Sequence, residues 1–227
     1  MTAIDPAGYV ELQAMSNFTF LEGASHPEEL VQEAARLGQP AIAITDRNSL
    51  AGIVRAHVAA GPAGIRLIPA ARLDLADGPP AGRLSLLAYP TDRAAYGRLS
   101  RLISTGRRRA PKGDCRLGLA DVLAAAAGLI LVVVPPAGAA IEDGLVRTLR
   151  TIADAAAART YLAASHRFGG DDDARLAALA TLARRTAVPL VATNDVLMHR
   201  PGRRPVADVL ACIRHKRTID ALGDLAL

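Results

Sequence analysis

The chemistry-bearing residues of this chain gather at the ends of short apolar runs. Gln13-Ala14-Met15 closes one run, Thr45-Asp46-Arg47-Asn48 a second, and Ala71-Arg72 lies within a third. Ser165-His166-Arg167 and Thr193-Asn194-Asp195-Val196-Leu197 follow two later runs. Carboxylates and imidazoles can bind metal ions and activate water, and Asp46, His166 and Asp195 are the side chains at these ends with that chemistry. Their neighbours oppose that chemistry. Gln13 is a weak neutral ligand, the Met15 thioether is too soft for hard or borderline ions, and Leu197 donates nothing. Arg47 and Arg72 carry guanidiniums that cannot be deprotonated, so they place fixed positive charge among these tips. Pairing of Glu22, Asp46 and Asp195 with Arg47 and Arg72 is expected.

Other chemistries find less support. Ser16, Ser25 and Ser49 lack a G-x-S-x-G setting, which disfavours a nucleophilic hydrolase. No G-x-G-x-x-G follows the first apolar run and no G-x-x-x-x-G-K-[ST] occurs, so nucleotide-cradling loops are absent. Cys115 and Cys212 are far apart and in no zinc-ligand spacing. Of the other histidines, His26 falls at a helix entrance, His57 in a helix and His215 in a basic cluster. His199 reads as a surface residue of the loop "MHRPGRRP".

The elements that position these tips alternate along the chain. Strands are expected over Tyr9–Gln13, Ala41–Thr45, Arg66–Leu75, Arg83–Tyr89, Leu129–Val134, Thr160–Ala164 and Pro189–Thr193. Several are continuous apolar runs, as in a parallel sheet buried on both faces. Ser25 with Glu28 forms a capping box, and Gly38 supplies a left-handed stop after Leu37. Asp92 opens a helix towards Arg109, and another helix covers Asp173 to Thr186. The alternation predicts an α/β fold, a distorted parallel barrel with seven strand–helix repeats, with an open doubly wound sheet as the alternative. In a parallel barrel, function collects at the strand C-terminal ends, where these polar tips lie.

The chain has 227 residues, enough for one large α/β domain spanning 1–227. Its net charge is +5, with arginine supplying nearly all the positive charge. Arg107-Arg108-Arg109 with Lys112 could contact phosphate, although such clusters are more often solvated surface. The aromatic content of 3% argues against a base-stacking platform. No apolar run approaches a membrane span, and "MTAIDPAGYVEL" lacks the features of a secretory signal, so a cytoplasmic protein without membrane contact is expected.

Four ordered stretches carry a family resemblance: "NFTFLEGASHPEELVQEAARLG", "AIAITDRNSLAGIVRAHVAA", "AAYGRLSRLISTGRRRAPKGDCRL" and "PLVATNDVLMHRPGRRPVADVLACIRHKRTIDALG". They resemble the PHP (polymerase and histidinol phosphatase) domain at the N-terminus of bacterial C-family, DnaE-type replicative polymerases, most of all the error-prone branch. In metal-competent relatives the first strand ends in His-x-His and the second in Thr-Asp-His. A Glu follows the third strand, a His a later one, and the last motif is Asp-x-His. The resemblance places Gln13 and Met15 at the first pair, Glu22 at an acidic position and Arg47 at the His after Asp46. Arg72 falls at the Glu, His166 matches the later His, and Leu197 replaces the His after Asp195. It implies a metal-free, catalytically inactive PHP domain serving as a structural module of an error-prone polymerase in lesion bypass and damage-induced mutagenesis.

The same resemblance implies that 1–227 is the N-terminal part of a longer chain whose palm holds catalytic Mg2+, with no cofactor in this domain. Its partners would be the palm and thumb of that chain, DNA through the parent polymerase, mutagenesis accessory proteins and a sliding clamp. Two other readings remain. One is an active metal-dependent phosphoesterase or 3'-5' proofreading exonuclease with a rearranged ligand set. The other is a binding module using the Arg107–Lys112 loop.

Overall fold

The computed structural model describes residues 8–77, 84–136, 143–168 and 170–223. The N-terminal residues 1–7, the last four residues and Arg83, the first residue of one expected strand, lie outside them. The chain divides into two compact units, one built from the residues up to Ala70 together with Asp195 onward, the other from Ala71–Asn194.

The first unit carries a parallel sheet in the order β1 (Glu11–Ala14), β2 (Ala41–Ile44), β3 (Arg66–Pro69). Helix α1 (Pro27–Arg36) joins β1 to β2, and α2 (Ile53–Ala63) joins β2 to β3. The sequence of α1 explains its ends. Pro27 occupies the first turn, where its missing N–H costs nothing, and Glu28 and Glu29 face the positive helix terminus. The capping box sits one residue later than expected: Glu29 Oε2 accepts from the His26 N–H at 2.8 Å. Gly38 follows the helix at φ +76°, the left-handed stop anticipated from its position. Leu30, Val31 and Ala34 of α1 pack with Ile42 and Ile44 of β2 and with Ile53 and Ala56 of α2. Each large apolar side chain buried here is worth about 1.5–3 kcal/mol. Helix α7 (Arg204–His215) also belongs to this unit.

The second unit holds a five-stranded sheet: β4 (Ala71–Asp74), β5 (Ser85–Pro90), β6 (Leu129–Val134), β7 (Thr160–Ala164) and β8 (Leu190–Ala192). Helices α3 (Arg93–Arg108), α4 (Leu119–Ala125), α5 (Asp143–Ala155) and α6 (Asp172–Thr186) connect these strands. Asp92 caps α3 by accepting from the Ala95 N–H at 2.7 Å.

The α/β class stands, with two departures from the expected strands. The run Arg66–Leu75 is two strands rather than one, so the described residues contain eight strands, and β3 and β4 lie in different sheets. Pro69 ends β3 because it has no N–H to continue a ladder. Apolar patterning cannot register that break. In addition, β4 with β5 and β5 with β6 are antiparallel, while β6, β7 and β8 run parallel. The link from Asp74 to Ser85 is too short for the crossover that a parallel pair requires. The ladders form two sheets, of three and five strands. Among the described residues, no helix is long and apolar enough to cross a membrane.

Candidate functional site

In the first unit, β1 and β2 end side by side. Thr45 keeps the register past the end of β2, its N–H donating to the Ala14 carbonyl at 2.8 Å and its hydroxyl to the same oxygen at 3.2 Å. The next residue, Asp46, is only 1% exposed. Its carboxylate accepts from the Ser16 N–H at 2.7 Å, from the Ser16 hydroxyl at 2.8 Å and from the Thr19 hydroxyl at 2.9 Å. Burial pushes the Asp46 carboxyl above the ordinary carboxylate range, and these donors oppose the shift. A Cβ added at Gly52 would fall 2.5 Å from Asp46 Oδ2, so backbone crowds the remaining side of the group. Asp46 is thus committed to holding the loop that follows β1.

That loop is tightly built. The Thr19 N–H donates to the Ser16 carbonyl at 2.8 Å, Asn17 to Ser25 at 2.8 Å, and Ala24 to Leu197 at 2.7 Å. Gly23 is required by close approach, because a Cβ there would lie 2.0 Å from the Ser16 carbonyl oxygen. Glu22, on the same loop, faces two arginines. Arg47 Nη2 donates to Glu22 Oε2 at 2.5 Å, and Arg214 Nη1 lies 3.1 Å from Glu22 Oε1. One carboxylate therefore joins the tip of β2 to the last turn of α7.

Gln13 and Asp195 meet within this unit. The Gln13 amide donates to Asp195 Oδ1 at 2.6 Å. The segment after Asp195 runs beside β1, with the Val196 N–H donating to the Gln13 carbonyl and the Met15 N–H to the Val196 carbonyl, each at 2.8 Å. Asp195 adopts φ +52°, a left-handed conformation that aspartate tolerates better than most residues. Met15 is a core side chain, 2% exposed. Leu197 enters the arrangement through its carbonyl, which accepts from Ala24.

His199 corrects the sequence reading. Its side chain is 3% exposed, not a surface group. Arg200 Nε donates to His199 Nε2 at 2.6 Å, which leaves the ring proton on Nδ1, 2.7 Å from the Ser25 hydroxyl. The same hydroxyl accepts from the His199 N–H at 2.9 Å. Ser25 is therefore occupied here rather than in the capping box. Burial holds the His199 pKa below its ordinary value, against the pull of Glu29.

Two residues of the expected cleft belong to the second unit. Arg72 Nε lies 3.5 Å from Asp74 Oδ1, whose carboxylate also accepts from the Ser85 hydroxyl at 2.6 Å. His166 Nδ1 lies 3.4 Å from Asp172 Oδ2, and its half-exposed ring meets Phe168 at a 58° tilt with centroids 4.5 Å apart. Asp172 also accepts from the Arg167 N–H at 2.8 Å. The basic cluster ends α3. Arg109 Nη1 binds both oxygens of Asp121 at 2.8 Å, while Arg107, Arg108 and Lys112 are exposed.

Among the described residues, no group of three or more His, Cys, Asp or Glu side chains is placed to hold a metal ion. The carboxylates at the β1 and β2 tips are already bound, Asp46 by hydroxyls and an amide, Glu22 by two guanidiniums and Asp195 by an amide. The roles of Ser16, Thr19, Ser25 and Arg214 in holding these tips emerge only from the structure. Ser16 and Thr19 lie beside the predicted tip, but the signal that they aim at Asp46 is not local. Arg214 meets Glu22 only through the fold.

Comparison with known proteins agrees with this architecture. The PHP domain family matches residues 11–173. An error-prone DNA polymerase of Caulobacter vibrioides is 48% identical over 96% of this chain and 20% of its own length. Those of Ruegeria pomeroyi and Rhodopseudomonas palustris are 44% and 46% identical, over 23% and 19% of their lengths. The chain thus spans about a fifth of the relatives it matches. Among solved structures, a protein from Bifidobacterium adolescentis described as a metal-dependent phosphoesterase aligns with TM-score 0.63 at 17% identity, covering 85% of this chain and 88% of that one. An amidohydrolase from Chromobacterium violaceum, with bound sulfate and no metal, aligns with TM-score 0.59 at 18% identity over the same shares. At such identities the likeness concerns the fold alone.

Proposed function

This chain belongs to the PHP domain family, and from that premise we propose that it is a catalytically inactive member, a structural domain of an error-prone DNA polymerase. The observation that carries the proposal is Glu22 held between Arg47 and Arg214. A carboxylate that would bind a cation in a metal-competent relative is satisfied by fixed protein charge. Gln13 on Asp195, and hydroxyls on Asp46, act in the same sense. Ion, hydrated shell and activated water all require free lone pairs, and these side chains direct theirs at neighbouring protein groups.

In this reading, residues 1–227 form one PHP domain within a much longer polypeptide, as in the named relatives of which the chain covers about a fifth. Nucleotidyl transfer and its Mg2+ belong to the palm of that polypeptide. The domain packs beside palm and thumb in the cytoplasm and meets DNA, the clamp and mutagenesis accessory proteins as part of the parent polymerase. Without a hydrolytic PHP centre, such a polymerase would lack that route to removing mismatched ends, which suits lesion bypass. The test is an assay on a phosphodiester and on mismatched primer ends, with Mn2+, Zn2+ or Mg2+ supplied. No hydrolysis above that of the free ions is expected. Chelator-sensitive hydrolysis lost in Asp46→Ala would overturn the proposal.

A further inference from the structure

Phe20 stands in solvent at 83% exposure, on a loop that is otherwise fully specified. Hydrogen bonds from the Thr19 N–H to Ser16, from Gly23 to Thr19 and from Ala24 to Leu197, with Asp46 beneath, fix the backbone on both sides of it. Leu21, the next residue, adopts φ +62°, a conformation costly for a branched side chain and retained only where surrounding structure imposes it. A large apolar ring is therefore presented to water by a rigid, locally strained turn.

The loop also gathers positive charge. Glu22, two residues beyond Phe20, binds Arg47 and Arg214, so two guanidiniums stand against one carboxylate. Arg214 begins the exposed run Arg214-His215-Lys216-Arg217 at the C-terminal end of α7. The Glu22–Arg214 pair thus ties this run to the aromatic loop. Asp220 follows nearby, but positive charge remains in excess. An exposed apolar ring, on a loop that Glu22 ties to Arg47 and Arg214, matches a ligand with flat apolar rings strung on a polyanion.

We propose that this surface binds a single strand of nucleic acid, Phe20 stacking on a base while Lys216 and Arg217 contact phosphates. An exposed aromatic on a rigid support is how sequence-tolerant single-strand sites gain affinity beyond charge alone. Aromatics are scarce in the sequence, but one ring suffices where the Glu22–Arg214 pair ties a distant basic run to its loop. The choice of DNA rests on the polymerase-domain reading, whereas the surface itself does not depend on it.

The test uses the 227-residue chain and a short fluorescein-labelled oligothymidylate, read by fluorescence anisotropy in EDTA across a salt series. A duplex of equal length is the control. The expected result is salt-dependent binding that prefers the single strand. Phe20→Ala should weaken it at least about fivefold without changing the salt slope. Lys216→Gln with Arg217→Gln should reduce the slope by roughly 0.7 per charge removed. Circular dichroism would confirm that the variants fold. No binding, equal binding of duplex and single strand, or an unaffected Phe20→Ala variant would each overturn the proposal. Because EDTA excludes metal-dependent hydrolysis, none of these outcomes bears on whether the domain is catalytically inactive.

Discussion

The Nη2 atom of Arg47 lies 2.5 Å from Oε2 of Glu22, a guanidinium from the tip of β2 closing on a carboxylate from the loop after β1. Both side chains are mostly shielded from water, so the pair is screened less than a surface bridge. A double-mutant cycle with Glu22→Gln and Arg47→Met should give a coupling of about 1 kcal/mol that shrinks in high salt. The same cycle with Arg214→Met should give less, since Arg214 is more exposed and sits farther away at 3.1 Å. Urea unfolding of the four variants in each cycle is the measurement.

Asp46 should behave as a structural residue. Replacing it with Ala leaves the Ser16 N–H and the Ser16 and Thr19 hydroxyls buried without their acceptor. The expected loss of stability is about 3 kcal/mol, from desolvated donors left unmatched. Asp46→Asn should cost less, because its amide oxygen keeps part of the network. Both losses should be the same with and without EDTA, which denaturant titration in the two buffers will read.

The buried His199 ring predicts a pH effect of definite sign. Its folded pKa lies below the ordinary 6.5, so the unfolded chain takes up a proton more readily. Its contribution to stability is complete above pH 6.5 and is lost as pH falls through that value towards the folded pKa. The raised Asp46 carboxyl acts with the opposite sign, its stability rising as pH falls from the folded pKa towards 3.8. In thermal unfolding, the stability of the parent chain relative to His199→Gln should therefore fall as pH drops below 6.5.

Much of the fold was legible because local signals suffice for it. The apolar runs Leu129–Val134 and Thr160–Ala164 are strands with the boundaries the sequence predicts. Asp92 and Gly38 mark a helix start and stop as their chemistry requires. The break at Pro69 and the antiparallel placing of β5 were not legible, since patterning reports burial and not strand direction. At the site, residue types at Gln13, Met15, Arg47 and Leu197 were readable as poor metal donors. The partners were not: Gln13 with Asp195, Ser25 with His199 and Glu22 with Arg214 are pairs separated by most of the chain. Position in the sequence carries no trace of a contact made only by folding.

The central claim is that protein groups have taken the place of metal at the tips of β1 and β2. Its most direct test is the metal content of the purified chain after equilibration with Mn2+, Zn2+ and Fe2+, by inductively coupled plasma mass spectrometry, beside Gln13→His/Met15→His/Arg47→His/Leu197→His. The account predicts well under one equivalent of metal in the parent chain, with any trace unchanged in Asp46→Ala. One or more tightly held equivalents that disappear in Asp46→Ala would contradict it.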